Sequence, residues 1–322
     1  MPDFHELKRT IGQYSATNWD DTLRRLADAF DDIQRRWPRR VDFSGLLPDS
    51  AIAVFPLLFV EGFGHVEPAR LDRFLAGCKL LAGAITTADA LFDEELERAR
   101  RTSYLLCWQG VQFESMRAFG TTFPPDSPFW ASLQGALAEY LSGIVKEASY
   151  STRRRLLIDA THAECVAIAT AKSCVARVAI VGLSLLGDDG SRAHSLLQSL
   201  DKYIFARQLW DDVQDWKADL RANRPTLITV RLATTFGLTD AALRETDIAA
   251  MSRDLYYGGH AEEFLGLARD SLACALDTAD RARRLPWHAL LERFHTAVEA
   301  LRRDLNAIVE RNLERRSAKA SV

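Results

Sequence analysis

Carboxylates at helical spacing are the first chemically suggestive feature of this sequence. In the stretch Gln208-Leu209-Trp210-Asp211-Asp212-Val213-Gln214-Asp215-Trp216-Lys217-Ala218-Asp219, Asp211, Asp215 and Asp219 follow one another at intervals of four. Gln208, Asp212 and Asp215 follow at four and three. Residues so spaced share one helix face. Like charges there destabilise a helix by about 0.2–0.5 kcal/mol per pair, and crowded carboxylates raise one another's pKa unless a cation intervenes. An oxygen-only donor set of this kind suits a hard divalent cation, above all Mg²⁺. The bland alternative is a solvated face in which Arg207, Lys217 and Arg221 pair the acids. Asp89 and Asp93 repeat the pattern one turn apart, at the end of the apolar run Leu75 to Ile85. Because Glu94, Glu95 and Glu97 continue that run, a solvated acidic helix end is the competing use. Mg²⁺ held by few carboxylates completes its shell with water and phosphate oxygens. A diphosphate is therefore the expected substrate group, with basic side chains converging on it.

The elements that must carry these residues read as helices almost throughout. Leu23, Leu26, Phe30 and Ile33 recur at three and four after the N-cap candidates Thr17-Asn18, and Pro38 closes that helix. Ala51 to Phe59 reads as a short buried helix. Longer helices are predicted from 67 towards 97 and over 102–119, 128–149, 153–186, 190–221, 239–252, 260–283 and 286–316. No hairpin dipeptide lies between alternating apolar residues, and the β-branched cluster Ile228 to Val230 is short. With no repeat and no long polar linker, the expectation is all-α: one helical bundle around a central pocket, spanning 1–322, with 316–322 fraying.

Composition narrows the classes further. Forty-one Lys+Arg against 44 Asp+Glu leave a net charge of −3 over 322 residues, so the basic footprint of a nucleic-acid binder is missing. Hydrophobic residues at 48% exclude a disordered chain. Five scattered cysteines without a CxxC pair point to a reducing compartment. The N-terminal stretch lacks a signal-peptide apolar run, and Val175 to Leu186, interrupted by Arg177, falls short of the roughly 20 residues that span a bilayer. A cytoplasmic protein without an integral membrane segment is expected.

Taken in order, these motifs resemble the class I isoprenoid synthase family, which comprises trans-prenyltransferases and class I terpene synthases. Gln208 to Asp215 resembles the second aspartate-rich motif, Q-x-x-D-D-x-x-D, and Asp89 to Asp93 a reduced first motif, D-x-x-x-D. Ala171-Lys172-Ser173 stands where the family has its K-T/S step, and Arg224-Pro225-Thr226-Leu227 resembles its G-K-P-T-L turn. The resemblance implies three Mg²⁺ ions and a prenyl diphosphate substrate. Asp89 and Asp93 would then hold two ions and Asp211 the third, with Asp215 supporting and Asp212 orienting water or a basic group. Lys172, Arg221, Arg224 and Gln208 would serve the diphosphate. Phe92, Trp108, Phe113, Phe205 and Trp210 are candidates to line the pocket, where ring faces stabilise a passing carbocation. A homodimer would follow by analogy alone.

Chain-elongating members of the family resemble one another in an N-terminal G-K-x-x-R-P patch, and in paired arginines with Gly-Pro just after the first motif. These bind a second diphosphate. Here Glu61-Gly62-Phe63-Gly64-His65-Val66-Glu67-Pro68 lacks the lysine, and Arg100-Arg101 is displaced and lacks Gly-Pro. The sequence-level expectation is accordingly a Mg²⁺-dependent terpene synthase (a lyase) ionising one allylic prenyl diphosphate, C15 or C20. A prenyltransferase using an acceptor or isopentenyl diphosphate is the alternative, and a non-catalytic prenyl-diphosphate-binding subunit the second alternative.

Overall fold

A computed structural model describes residues 19–37, 51–92, 98–238, 245–279 and 285–320. Among these residues every regular element is helical, and no strand occurs. The chain gathers into two compact units, one formed by Met1–Gln134, Ala176–His194 and Ala282–Leu290, the other by Gly135–Val175, Ser195–Arg281 and Leu291–Val322.

In the first unit, α1 (Trp19–Arg35) packs along α2 (Pro68–Phe92), which in turn packs on α3 (Arg98–Thr122). Burial of apolar surface holds these helices together. Ile33, Leu80, Ala84 and Val111 form one cluster, flanked by Phe30, Trp37, Tyr104, Cys107 and Trp108. Two glycines allow close approach. A Cβ at Gly77 would sit 2.6 Å from the Phe119 ring, and one at Gly182 only 2.2 Å from the Phe74 ring. Phe74 is fully buried, with Phe119, Phe123 and Phe129 at centroid distances of 6.0, 5.8 and 6.3 Å. Across the α2–α3 contact, the Ser115 hydroxyl donates to the Gly77 carbonyl at 2.9 Å. Buried Glu114 accepts from Arg36 at 2.8 Å and from the Trp37 indole at 3.0 Å. Burial pushes its pKa up, but these donors and Arg117 outweigh that and hold it below the ordinary value. Ala51–Leu58 and Val60–Phe63 are 3₁₀ helices, and Phe55 and Phe59 pack on Trp287.

The second unit contains most of α4 (Pro128–Ser151), α5 (His162–Ser173), α7 (Ala193–Arg221), α8 (Leu227–Phe236), α9 (Glu245–Tyr257) and α10 (His260–Ala279). It also contains α11 (Pro286–Ala320) from Leu291 onward. The predicted helix over 153–186 is shorter and broken. It starts after Thr161, whose side chain accepts from the Glu164 N–H as an N-cap. A 3₁₀ turn, Cys174–Ala176, then separates α5 from α6 (Arg177–Leu186) in the first unit. The β-branched cluster at Ile228 lies inside α8, where Thr226 and Thr229 form a reciprocal capping box. The predicted 239–252 helix is seen as α9, and 239–244 lie outside the described residues. α11 continues to Ala320, past the expected fraying point.

The windows Pro68–Leu91 and His162–Leu186 are long and apolar enough to cross a membrane, with mean hydropathies of 1.4 and 1.7. About half of each, 56% and 50%, is buried inside the fold, as expected of core helices.

Candidate functional site

The long helix α7 presents the second acidic motif, and its faces fall into different environments. Leu209, Val213 and Trp216 are buried, with the Trp216 indole donating to the Tyr256 hydroxyl at 3.3 Å. These anchors fix the rotation of α7 about its axis. Asp212 is 2% exposed and accepts from the Gln208 amide at 2.7 Å. Asp219 is also buried and lies 3.5 Å from Arg224. Asp211 is half-buried and pairs with Arg207 one turn earlier at 3.1 Å, whereas Asp215 is exposed.

Burial sets the charge state of these acids. It pushes Asp212 up to about 7, against the Gln208 hydrogen bond and Lys172, with Asp219 and Asp211 adding to the rise. Asp219 is likewise pushed up to about 6 by burial, against Arg224. Asp211 is raised by burial and by Asp215 despite Arg207. A carboxyl whose folded pKa lies above its unfolded one favours the native state most at low pH. That contribution disappears as pH rises through the folded value. Unfolding free energy of the metal-free protein is therefore expected to fall from about pH 4 to pH 7, by up to about 1.4 kcal/mol per pH unit for each whole proton. Asp212→Asn, which keeps an acceptor for Gln208, is expected to flatten the slope in denaturation measured across that range. A slope equal to that of the wild type would show that Asp212 is not its source.

A pocket opens beside Asp212, lined by Lys172, Glu147, Gln208 and Asp212 as polar groups. Ile168, Phe205 and Leu209 supply apolar wall, and Pro225, Thr226 and Leu227 bring the start of α8 to its edge. Cys165 lines it too, its thiol pushed up to about 12 by burial and so held protonated. The Lys172 ammonium lies 2.9 and 3.1 Å from the two Glu147 oxygens, joining α5 to α4. That pairing depends on a close helix contact: a Cβ at Gly143 would fall 2.6 Å from the Ala171 Cβ. The Arg224 turn is fixed from both ends. Its N–H donates to the Asp219 carbonyl at 2.8 Å, and its carbonyl accepts from the Thr229 hydroxyl at 2.6 Å. Asn223 adopts the left-handed region (φ 53°), and its amide donates to the Tyr150 carbonyl at 2.6 Å.

The structure thus brings Lys172, Gln208, Asp212 and Phe205 to one pocket, with Asp211, Asp215 and Arg224 on the same unit. Arg221 is exposed on the last turn of α7. Trp210 packs edge-on against Phe294 at 5.8 Å. In the other unit, Asp89 lies half-buried on the last turns of α2, just after Thr86 and Thr87, whose hydroxyls bond back to carbonyls of the preceding turn. Asp93 and the Phe92 side chain lie outside the described residues. Trp108 belongs to the Ile33–Leu80 cluster. Phe113, expected to line the pocket, lies on α3 and is 61% exposed. Thr226 belongs to the 224–227 turn motif, whereas Glu147 and Cys165 carry no signal in the sequence: a lone acid or thiol on an apolar helix has no spacing to mark it.

Oxygen donors are the chemistry on offer here. Among the described residues no three His, Cys, Asp or Glu side chains converge into a closed cage. Mg²⁺ does not require one, since it keeps waters and binds through one or two carboxylates plus phosphate. Burial disfavours the charged forms of Asp211, Asp212 and Asp219, a penalty that a bound cation would offset. The donor set fits such an ion.

No family model and no curated protein matches the sequence. Solved structures do match in fold. Octaprenyl pyrophosphate synthase from Helicobacter pylori aligns with TM-score 0.67 and 15% identity, over 86% of this chain and 99% of that one. A polyprenyl synthase from Caulobacter crescentus CB15, solved with calcium and isoprenyl diphosphate, aligns with TM-score 0.64 and 18% identity, over 86% and 96%. Geranylgeranyl pyrophosphate synthetase from Pyrococcus horikoshii Ot3 aligns with TM-score 0.61 and 16% identity, over 88% and 99%. The chain has the all-helical class I isoprenoid synthase fold.

Proposed function

We propose that this chain ionises an allylic prenyl diphosphate and transfers the prenyl group to an acceptor, as a prenyltransferase. The observation that carries this is the pocket lined both by Lys172 of α5 and by Asp212 of the motif-bearing helix α7. The fold adds support, since its solved neighbours are named polyprenyl, octaprenyl and geranylgeranyl pyrophosphate synthases. Asp211 and Asp215 would hold Mg²⁺ at the second motif, and Asp89 and Asp93 at the first. When bound, the metal neutralises the diphosphate and makes it a leaving group. Lys172 and Arg224 contribute fixed positive charge towards the diphosphate oxygens. The apolar wall of Ile168, Phe205 and Leu209 keeps water from the allylic cation. The allylic C–O bond breaks with its electron pair leaving on diphosphate, the acceptor's nucleophilic atom bonds to the allylic carbon, and a proton is released.

One observation favours the terpene synthase as a second reading. Where chain-elongating relatives of the motif carry a lysine, the Gly64–His65 turn (Gly64 φ 71°) is held by a carboxylate, with Asp188 accepting from the His65 N–H at 2.9 Å. A Cβ at Gly64 would fall 1.8 Å from that same oxygen. An acid so placed disfavours a second diphosphate there. Incubating the protein with geranyl, farnesyl and geranylgeranyl diphosphates and Mg²⁺, with and without isopentenyl diphosphate, decides between them. Diphosphate release that requires an acceptor supports transfer, and a hydrocarbon or terpene alcohol from one substrate alone supports cyclisation. No release and no binding of any of the three would overturn both.

A further inference from the structure

Arg207 lies one helical turn before Asp211, and its Nη2 is 3.1 Å from an Asp211 oxygen. Both side chains are about one-third exposed, at 34% and 33%. The far end of the guanidinium is satisfied in this way, but its Nε is buried without a hydrogen-bond partner. A buried donor left unmade is costly, and a five-donor fork with one arm unused is poised to donate to another oxygen. Tyr203 lies one turn further back on α7, its ring edge-on to Phe294 at 5.7 Å, and Arg207 is close enough to act electrostatically on its phenol.

We infer that Arg207 is a diphosphate ligand held in reserve: it masks Asp211 while the site is empty and passes to the diphosphate when a divalent cation takes Asp211. This inference rests on the reading of Asp211 as a metal ligand. The guanidinium occupies one Asp211 oxygen, and a divalent cation ligated by that same oxygen competes with it both for the lone pairs and as a like charge a few ångströms away. Cation binding at that oxygen displaces the fork. The anion that the cation itself recruits is the nearest new partner, and guanidinium geometry matches phosphate oxygens in pairs. Nε, idle in the empty site, then gains an acceptor. The ion pair on its own is of the partly exposed helical type and adds little to stability, so a switching role does not compete with a structural one.

The two halves of the exchange move in opposite directions on substitution, which a merely structural residue would not produce. Isothermal titration of Mg²⁺ alone, and of inorganic diphosphate in saturating Mg²⁺, is to be compared for the wild type, Arg207→Gln and Arg207→Lys, with circular dichroism confirming that each is folded. Arg207→Gln unmasks Asp211, and Mg²⁺ alone is expected to bind about 3-fold more tightly. Diphosphate is expected to bind about 10-fold more weakly, a charge-assisted hydrogen bond having been lost. Arg207→Lys keeps the charge but not the fork, and falls between the two. Constants unchanged within twofold, or both shifted in the same direction, overturn the inference. A wild type that binds neither Mg²⁺ nor diphosphate overturns the site assignment beneath it, which distinguishes the two failures.

Discussion

Asp211→Ala is expected to lower diphosphate release by on the order of 10²–10³-fold while leaving the melting temperature nearly unchanged. Removing one group that stabilises developing charge costs a factor of that size in preorganised sites, and here the group is also the carboxylate proposed to hold a cation. The stability side is argued separately. Asp211 is half-buried, burial already raises its pKa, and its partner Arg207 is one-third exposed. A pair of that kind is worth roughly 0–1 kcal/mol, and the destabilised carboxylate leaves with it. The same change at Asp89 tests the first motif. Steady-state diphosphate release beside a thermal melt is the measurement. Unchanged turnover in both variants would remove the metal assignment, and loss of turnover with a large fall in melting temperature would make Asp211 structural.

Phe74→Ala should show the opposite pattern, a severe loss of stability without any group of the chemistry being touched. Its ring is fully buried among Phe119, Phe123 and Phe129, with α6 brought against it at Gly182. Large-to-small changes of this type cost about 3–5 kcal/mol, because the cavity adds to the lost transfer energy. The surroundings here are three more rings and a glycine backbone, none of which can move far into the gap. Against a typical stability of about 5–15 kcal/mol, much of the folded population is then at risk near physiological temperature. Urea denaturation of the two proteins measures the difference. A loss below about 1 kcal/mol would mean that the aromatic cluster relaxes around the hole.

Much of this fold is legible in the sequence because apolar residues recur at three and four along nearly every helix. The errors fall where local chemistry outweighs that period. Thr161 and Thr226 each start a helix by accepting an N–H from its first turn, and the second turns the β-branched Ile228–Val230 cluster into α8. The break at Cys174–Ala176 has neither proline nor glycine to announce it. At the candidate site, Gln208 and Asp212 are legible from motif spacing and Lys172 only through the family resemblance, and the three line one pocket. Glu147 was not readable, because its pairing with Lys172 arises between helices rather than along one. The exposure of Phe113 was not readable either, because an aromatic residue type says nothing about which side of a helix faces a core.

The approach of α4 to α5 at Gly143 has a consequence for anyone mutating this protein at random. Adding even one methyl there drives it against Ala171, the neighbour of Lys172, and the Lys172 backbone nitrogen lies 3.6 Å from the same point. The helices would have to part, and the Glu147–Lys172 pair, one turn beyond Gly143 on α4, would open with them. A screen for lost diphosphate binding should therefore return position 143, a residue with no functional group, among its strongest hits. Revertants should gather not at Gly143 but at position 171, where the same contact is seen from the other helix.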